Sequence, residues 1–179
     1  ALGADLFTRF GYDELSMARI AKEAGISKAL LYHYFPSKEA YFVATLEEKA
    51  QELAERTAPD PALAPLEQLG GSLDAYLAWV EENAGSYEKM IRSAGVPEVR
   101  NLLDRVRGET AQRIIDGIRG EKPATPVLRT AVNGWLWFMD GACLDWIAHR
   151  DLSRAELHGL LLGTLAGALV AAGVTFPDA

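Results

Sequence analysis

Residues Ser16–Glu39 read SMARIAKEAGISKALLYHYFPSKE, and this stretch decides the fold. Ser16, Ser27 and Ser37 each stand where a hydroxyl can cap a helix start. Ser16 opens a short helix to Ala24, Ser27 a second through Tyr34, and Ser37 a longer one from Lys38 to about Arg56. Gly25 supplies the positive φ that a tight turn requires, and Ala21 is small where two helices cross closely. The spacing predicts a helix-turn-helix unit. Met17, Ile20, Ala24, Ile26, Leu31 and either Tyr34 or Phe35 form its inner face. Ser27, Lys28, Ala29, Tyr32 and His33 then fall on the outer face of the second helix. A cation, hydroxyls, an imidazole and a small residue that permits close approach suit a DNA major groove. Ser16 and Ser27 also mark helix N-termini, whose free N–H groups suit phosphate oxygens, and Lys38 adds a charge at the next one. The same residues also fit an ordinary helical hairpin with a solvated face.

Composition bounds what surrounds this unit. The chain has 179 residues, 49% hydrophobic and 24% charged. That suits a small domain fused to a larger helical one and excludes disorder by composition. One cysteine, Cys143, excludes an internal disulfide and a cysteine-rich zinc site, and points to a cytoplasmic setting. A net charge of −7 argues against a whole-surface nucleic-acid binder. The charge is unevenly spread, however. Between Leu15 and Lys38, Arg19, Lys22, Lys28 and Lys38 face Glu23 alone, whereas residues 59–179 hold 11 basic and 16 acidic groups. The uncharged run Leu160–Phe176 falls short of the roughly 20 apolar residues of a membrane span, so a buried helix and no membrane association are expected.

Working outward, Leu2, Leu6, Phe7 and Phe10 share a helical face that Gly11 ends. The chain opens inside this pattern without a methionine, so the first helix reads as truncated. Pro59, Pro61 and Pro65 mark a linker over Thr57–Pro65. Helices follow from Leu66 to near Gly85, then to about Ala94, Glu98–Arg119, Val127–His149 and Ser153–Gly173. Strand signals are nearly absent, so the expected class is all-α. The expected domains are residues 1–48, the helix-turn-helix, and 49–179, a larger helical domain. The Lys38 helix runs on to about residue 56 as their connector.

The string from Ser16 to Glu39 resembles the DNA-binding region of the tetracycline-repressor (TetR) family of bacterial regulators. Leu6-Phe7 and Phe10-Gly11-Tyr12 resemble the end of that family's first helix, and Leu31 to Phe35 followed by Ser37-Lys38-Glu39 is the most specific part. The resemblance covers residues 2–48 and is architectural beyond them. It implies Lys28, Tyr32 and His33 at the groove and Ser16, Ser27 and Lys38 on phosphates. Such motifs often carry Gly and Thr where this chain has Ala29 and Leu30. Ala29 still allows close approach, while Leu30 exchanges a hydroxyl for an apolar group that suits a thymine methyl. The resemblance also implies a homodimer on a palindromic operator, released by a small-molecule effector.

In the last helix Gly159, Gly163 and Gly167 recur every fourth residue, with Leu160 beside them. Glycine costs about 1 kcal/mol in a helix, so a stripe of three predicts close helix–helix approach. A dimer interface that also takes Trp137 is one reading, and contact with a helix of the same subunit is the other. Tyr76, Trp79, Tyr87, Met90, Trp135, Phe138 and Met139 are candidates to line an effector pocket, and each also fits plain core packing. The effector would then be mainly apolar or aromatic. Asp145 and His149 with His158 are too few for a metal site, and no catalytic motif or cofactor loop is present, so no enzyme activity is expected. The two readings that remain are a ligand-responsive DNA-binding regulator, most simply a repressor, and a helical small-molecule binding protein that never meets DNA. The outer-face chemistry of Lys28, Tyr32 and His33 separates them.

Overall fold

The computed structural model describes Tyr12, residues 15–120 and residues 123–175, apart from the side chains of Pro65 and Leu66. The expected first helix from Leu2 to Gly11 lies outside the described residues. Among those described there are eight α-helices and no strand. They are α1 (Met17–Glu23), α2 (Lys28–Tyr34), α3 (Lys38–Arg56), α4 (Pro65–Glu82), α5 (Ala84–Arg92), α6 (Pro97–Arg119), α7 (Pro126–His149) and α8 (Arg154–Ala171). A 3-10 turn, Ser93–Gly95, joins α5 to α6.

Local chemistry explains the boundaries. Ser16, Ser27 and Ser37 accept hydrogen bonds from the N–H groups of Arg19, Leu30 and Ala40 at 3.3, 3.1 and 3.1 Å. Thr125 caps α7 ahead of Pro126, where the missing N–H of proline is harmless. Ser153 and Glu156 cap each other's backbone in a capping box that starts α8.

The helices fall into two compact units. One takes the chain up to Glu55 together with Asn83–Leu103. The other takes Arg56–Glu82 and the chain from Asp104 onward. In the first, Leu15, Met17, Ile20, Ala21 and Leu31 are buried, as are Phe42 and Leu46 of α3, Tyr87 of α5 and Val99 of α6.

In the second unit, α7 and α8 run side by side. The Trp135 indole N–H donates to the Leu161 carbonyl at 3.0 Å, and that of Trp146 to the Leu152 carbonyl at 2.8 Å. Leu128, Val132, Trp135, Leu136, Met139, Cys143 and Trp146 form the buried stripe of α7. Leu157, Leu161, Leu165 and Leu169 form that of α8. α4 packs on the same pair through buried Leu73, Leu77, Trp79 and Val80. A His158 ring nitrogen lies 2.9 Å from the Gly70 carbonyl, and Arg154 reaches both Asp74 and Glu81 at 3.3 Å.

The uncharged run that starts at Leu160 is therefore not buried all round, contrary to the expectation from its composition. Its leucines at every fourth position face the core, and Gly159, Leu160, Gly163, Gly167 and Val170 line the open side. No described helix is long and apolar enough to cross a membrane.

Candidate nucleic-acid interface

The turn between α1 and α2 has a defined geometry. Gly25 sits at φ +66°, and a Cβ there would meet nothing within 4 Å, so conformation and not space is what calls for glycine. The Ile26 N–H reaches the Ala21 carbonyl at 3.0 Å and the Gly25 N–H reaches that of Lys22 at 3.2 Å. These two bonds make a Schellman motif, which closes α1 and sets the angle at which α2 departs.

That angle leaves the N-terminal and outer side of α2 open. Ser27, Lys28, Ala29, Leu30, Tyr32 and His33 are all exposed, and so is Ser16 at the head of α1. The Lys28 ammonium lies 5.7 Å from the Tyr32 ring centroid, so the cation rests over an aromatic face one turn along. Leu30 is 43% exposed, an apolar group at the third position of an otherwise polar face. Arg19 and Lys22 are exposed nearby on α1.

Of the two alternatives for the inner face, Tyr34 is 68% exposed, its ring edge-on to His33 at 5.2 Å. Phe35 takes the inner role and meets Tyr41 edge-to-face at 5.0 Å. One inner-face expectation is corrected: Ile26, at the turn between the two helices, is 37% exposed.

Lys38 has a second task besides any phosphate. Its ammonium donates to the Tyr12 carbonyl at 3.1 Å and lies 4.0 Å from the centre of the Tyr12 ring. The Tyr12 hydroxyl donates to Glu39 Oε1 at 2.6 Å. That bond, aided by the Glu39 backbone N–H and the Ser37 hydroxyl, holds the Glu39 carboxyl at about 2, well below its ordinary range. Tyr12 and Glu39 were given no role from sequence. Adjacent opposite charges at a helix start were the available signal, but the partner lies 27 positions away.

The remaining candidates are distributed as follows. Trp79, Trp135 and Met139 are buried in the second unit and Tyr76 is half-buried there, while Tyr87 and Met90 belong to the first. Phe138 is 42% exposed. At about 100° per residue the buried stripe of α7 centres on the side of Leu136 and Cys143, which turns Phe138 outward with Trp137. Trp137 is 60% exposed. A Cβ on Gly159, Gly163 or Gly167 would meet nothing within 4 Å, so no described helix accounts for the stripe. His149 lies 3.3 Å from Asp145 on its own helix. No cluster of three or more metal-ligating side chains occurs among the described residues.

Comparison with known proteins agrees with this geometry. Residues 1–45 match the model of bacterial regulatory proteins of the tetR family. Residues 65–167 match that of the tetracyclin repressor-like C-terminal domain. The chain belongs to the TetR family. The HTH-type transcriptional regulator RutR of Escherichia coli is 46% identical over 44 residues, which is 25% of this chain and 21% of RutR. The chain thus matches only about a fifth of that relative's length. A second HTH-type transcriptional regulator, YhgD of Bacillus subtilis, is 28% identical over 171 residues, 87% of this chain and 86% of YhgD. A TetR-family regulator of known structure from Streptomyces coelicolor superimposes with a TM-score of 0.83 at 28% identity, covering 96% of this chain and 78% of that one. Both parts of the chain thus match models of one family of bacterial regulatory proteins. That match favours the DNA-binding reading over the small-molecule binding protein that never meets DNA.

Proposed function

We propose that this regulator is a homodimeric repressor that holds a short inverted repeat and lets go when a small, mainly apolar or aromatic molecule occupies its C-terminal part. The observation that carries the DNA half is the exposed outer face of α2, standing on a turn whose geometry the Gly25 conformation fixes. Lys28, Ala29, Leu30, Tyr32 and His33 meet base edges, and the capped starts of α1 and α2 at Ser16 and Ser27 meet phosphates. Lys38 reaches a phosphate from the same edge while fixing Tyr12. We place the functional boundary near residue 48, with α3 as connector.

One recognition helix reads only a few base pairs, so two are needed. The open face of α7 and α8 fits a second copy of the chain. From Gly159 to Ala172 no charge interrupts α8, and on α7 the exposed Gly134, Trp137, Phe138 and Gly141 continue the uncharged surface. An 18-residue helix spans about 27 Å. Two such helices side by side present a face on the scale of the roughly 800 Å² per partner that stable complexes bury. Gly159, Leu160, Gly163, Gly167 and Trp137 lie on it. For the effector, Trp79, Trp135 and Met139 with half-buried Tyr76 offer an apolar lining in the second unit.

Selection of bound duplexes from a random pool, repeated with cell metabolites added, tests the proposal. Enrichment of an inverted repeat that a metabolite abolishes supports it. Lys28→Ala lowers affinity for the selected duplex by about tenfold with an unchanged melting temperature. Unaltered affinity removes Lys28 from the groove.

A further inference from the structure

Arg107 of α6 and Asp140 of α7 form a hydrogen-bonded ion pair inside the second unit. The Arg107 Nε and Nη2 lie 2.8 and 2.7 Å from Asp140 Oδ2. The two side chains are 13% and 12% exposed. The same guanidinium lies over the Trp137 ring, its Cζ 4.0 Å from the ring centroid. Trp137 therefore has one face held against a fixed cation while most of its surface stands in solvent.

Such an arrangement is odd for an isolated subunit. A bulky aromatic gains little stability from an exposed position, and the cation beneath it is immobilised by a withdrawn carboxylate. It makes sense if the indole is presented to something. The Trp135–Leu161 hydrogen bond sets the register of α7 against α8 and brings Trp137 level with Gly159 and Leu160. The face thus carries a protruding flat ring beside a strip of glycines with open space above them. A knob and a slot on one surface are self-complementary, which is what a two-fold contact between identical subunits demands.

We infer that Trp137 is the anchor of the contact with a second copy of this chain, and that Arg107, fixed by Asp140, is the positioning residue that holds the indole ready. This rests on the dimer reading above and adds which side chain carries its affinity. Arg and Trp are the residue types most often found to dominate interfaces, and a stacked guanidinium gives the ring a defined tilt before the partner arrives. The arrangement also ties α6 to the contact through a single side chain.

Sedimentation equilibrium of the full chain measures the outcome. Trp137→Ala raises the dimer dissociation constant at least about 30-fold, the scale of an interface hot spot. Arg107→Ala raises it about tenfold in the parent and leaves it unchanged in the Trp137→Ala background, because two residues acting through one contact are not additive. Arg107→Lys keeps the charge without the flat stack and falls between. Where loss of Arg107 loosens the fold by stranding Asp140, the paired variant Arg107→Met with Asp140→Asn removes the charge and gives the same coupling. Acrylamide quenching supplies an independent readout. Trp79, Trp135 and Trp146 are buried, so the quencher reports Trp137, which is accessible in dilute monomer and shielded in the dimer. The face itself is tested by Gly163→Arg. If that variant dissociates the dimer while Trp137→Ala leaves its constant unchanged, the anchor is overturned and the dimer reading stands. An equal effect of Arg107→Ala in both backgrounds overturns the positioning role. A dimer indifferent to Gly163→Arg, or a chain that stays monomeric, overturns both.

Discussion

Leu30 shows how one side chain can set a preference. Its backbone N–H is held by the Ser27 hydroxyl at 3.1 Å, so the residue is placed by the cap and not by a mobile loop. Its side chain is exposed between Ala29 and the buried Leu31, with no polar atom to offer a base. The one apolar group on a major-groove edge is the thymine methyl. On the proposed DNA contact, Leu30 would meet a methyl where a threonine would meet a hydrogen-bonding group. Replacing thymine by uracil, one position at a time, in the selected duplex is expected to weaken binding at one position per half-site by about 1 kcal/mol. Leu30→Ala removes that sensitivity. Uniform tolerance of uracil at every position refutes the contact.

Between elements, the Tyr12–Lys38–Glu39 group governs how the start of α3 is held. The Glu39 carboxyl is lowered in the folded protein, chiefly by the Tyr12 hydroxyl. A lowered carboxyl means the folded state prefers it ionised. The contribution to stability is thus complete above its ordinary value of 4.5 and is lost as pH falls towards about 2. In urea titrations across that window the parent loses more stability than Tyr12→Phe, which lacks the bond at every pH. Parallel losses in the two proteins exclude the linkage. The helices themselves were legible in the sequence because their starts are local events. Ser16, Ser27, Thr125 and Ser153 each cap within three residues, and Gly25 announces its own conformation. The groups that join helices were not legible. Glu39 finds Tyr12 across 27 positions and Arg107 finds Asp140 across 33, and nothing in local spacing marks such pairs. Phe138 was misjudged for a related reason. It was a candidate as one aromatic among several, whereas the buried stripe is set by the whole run from Leu128 to Trp146.

At the scale of the molecule, the proposed homodimer would set two copies of α2 on one side of the duplex. Half-sites one turn apart lie about 34 Å from centre to centre, and a rigid pair of subunits fixes both that distance and its rotational phase. Inserting five base pairs between the selected half-sites, about half a turn, turns one away from the protein. The expected result is an affinity no better than that for a single half-site in gel-shift titration, partly restored by inserting ten. A complex that tolerates five as well as ten has independent binding units and is not a rigid dimer.

Cys143 has a practical consequence of its own. It is the one thiol of the chain and is fully enclosed in α7, out of reach of alkylating reagents in the native state. A cysteine engineered at the exposed surface of α1 would then be the sole labelling point, so a spin label or dye pair attached there could report the distance between the two reading heads in solution as effectors are added.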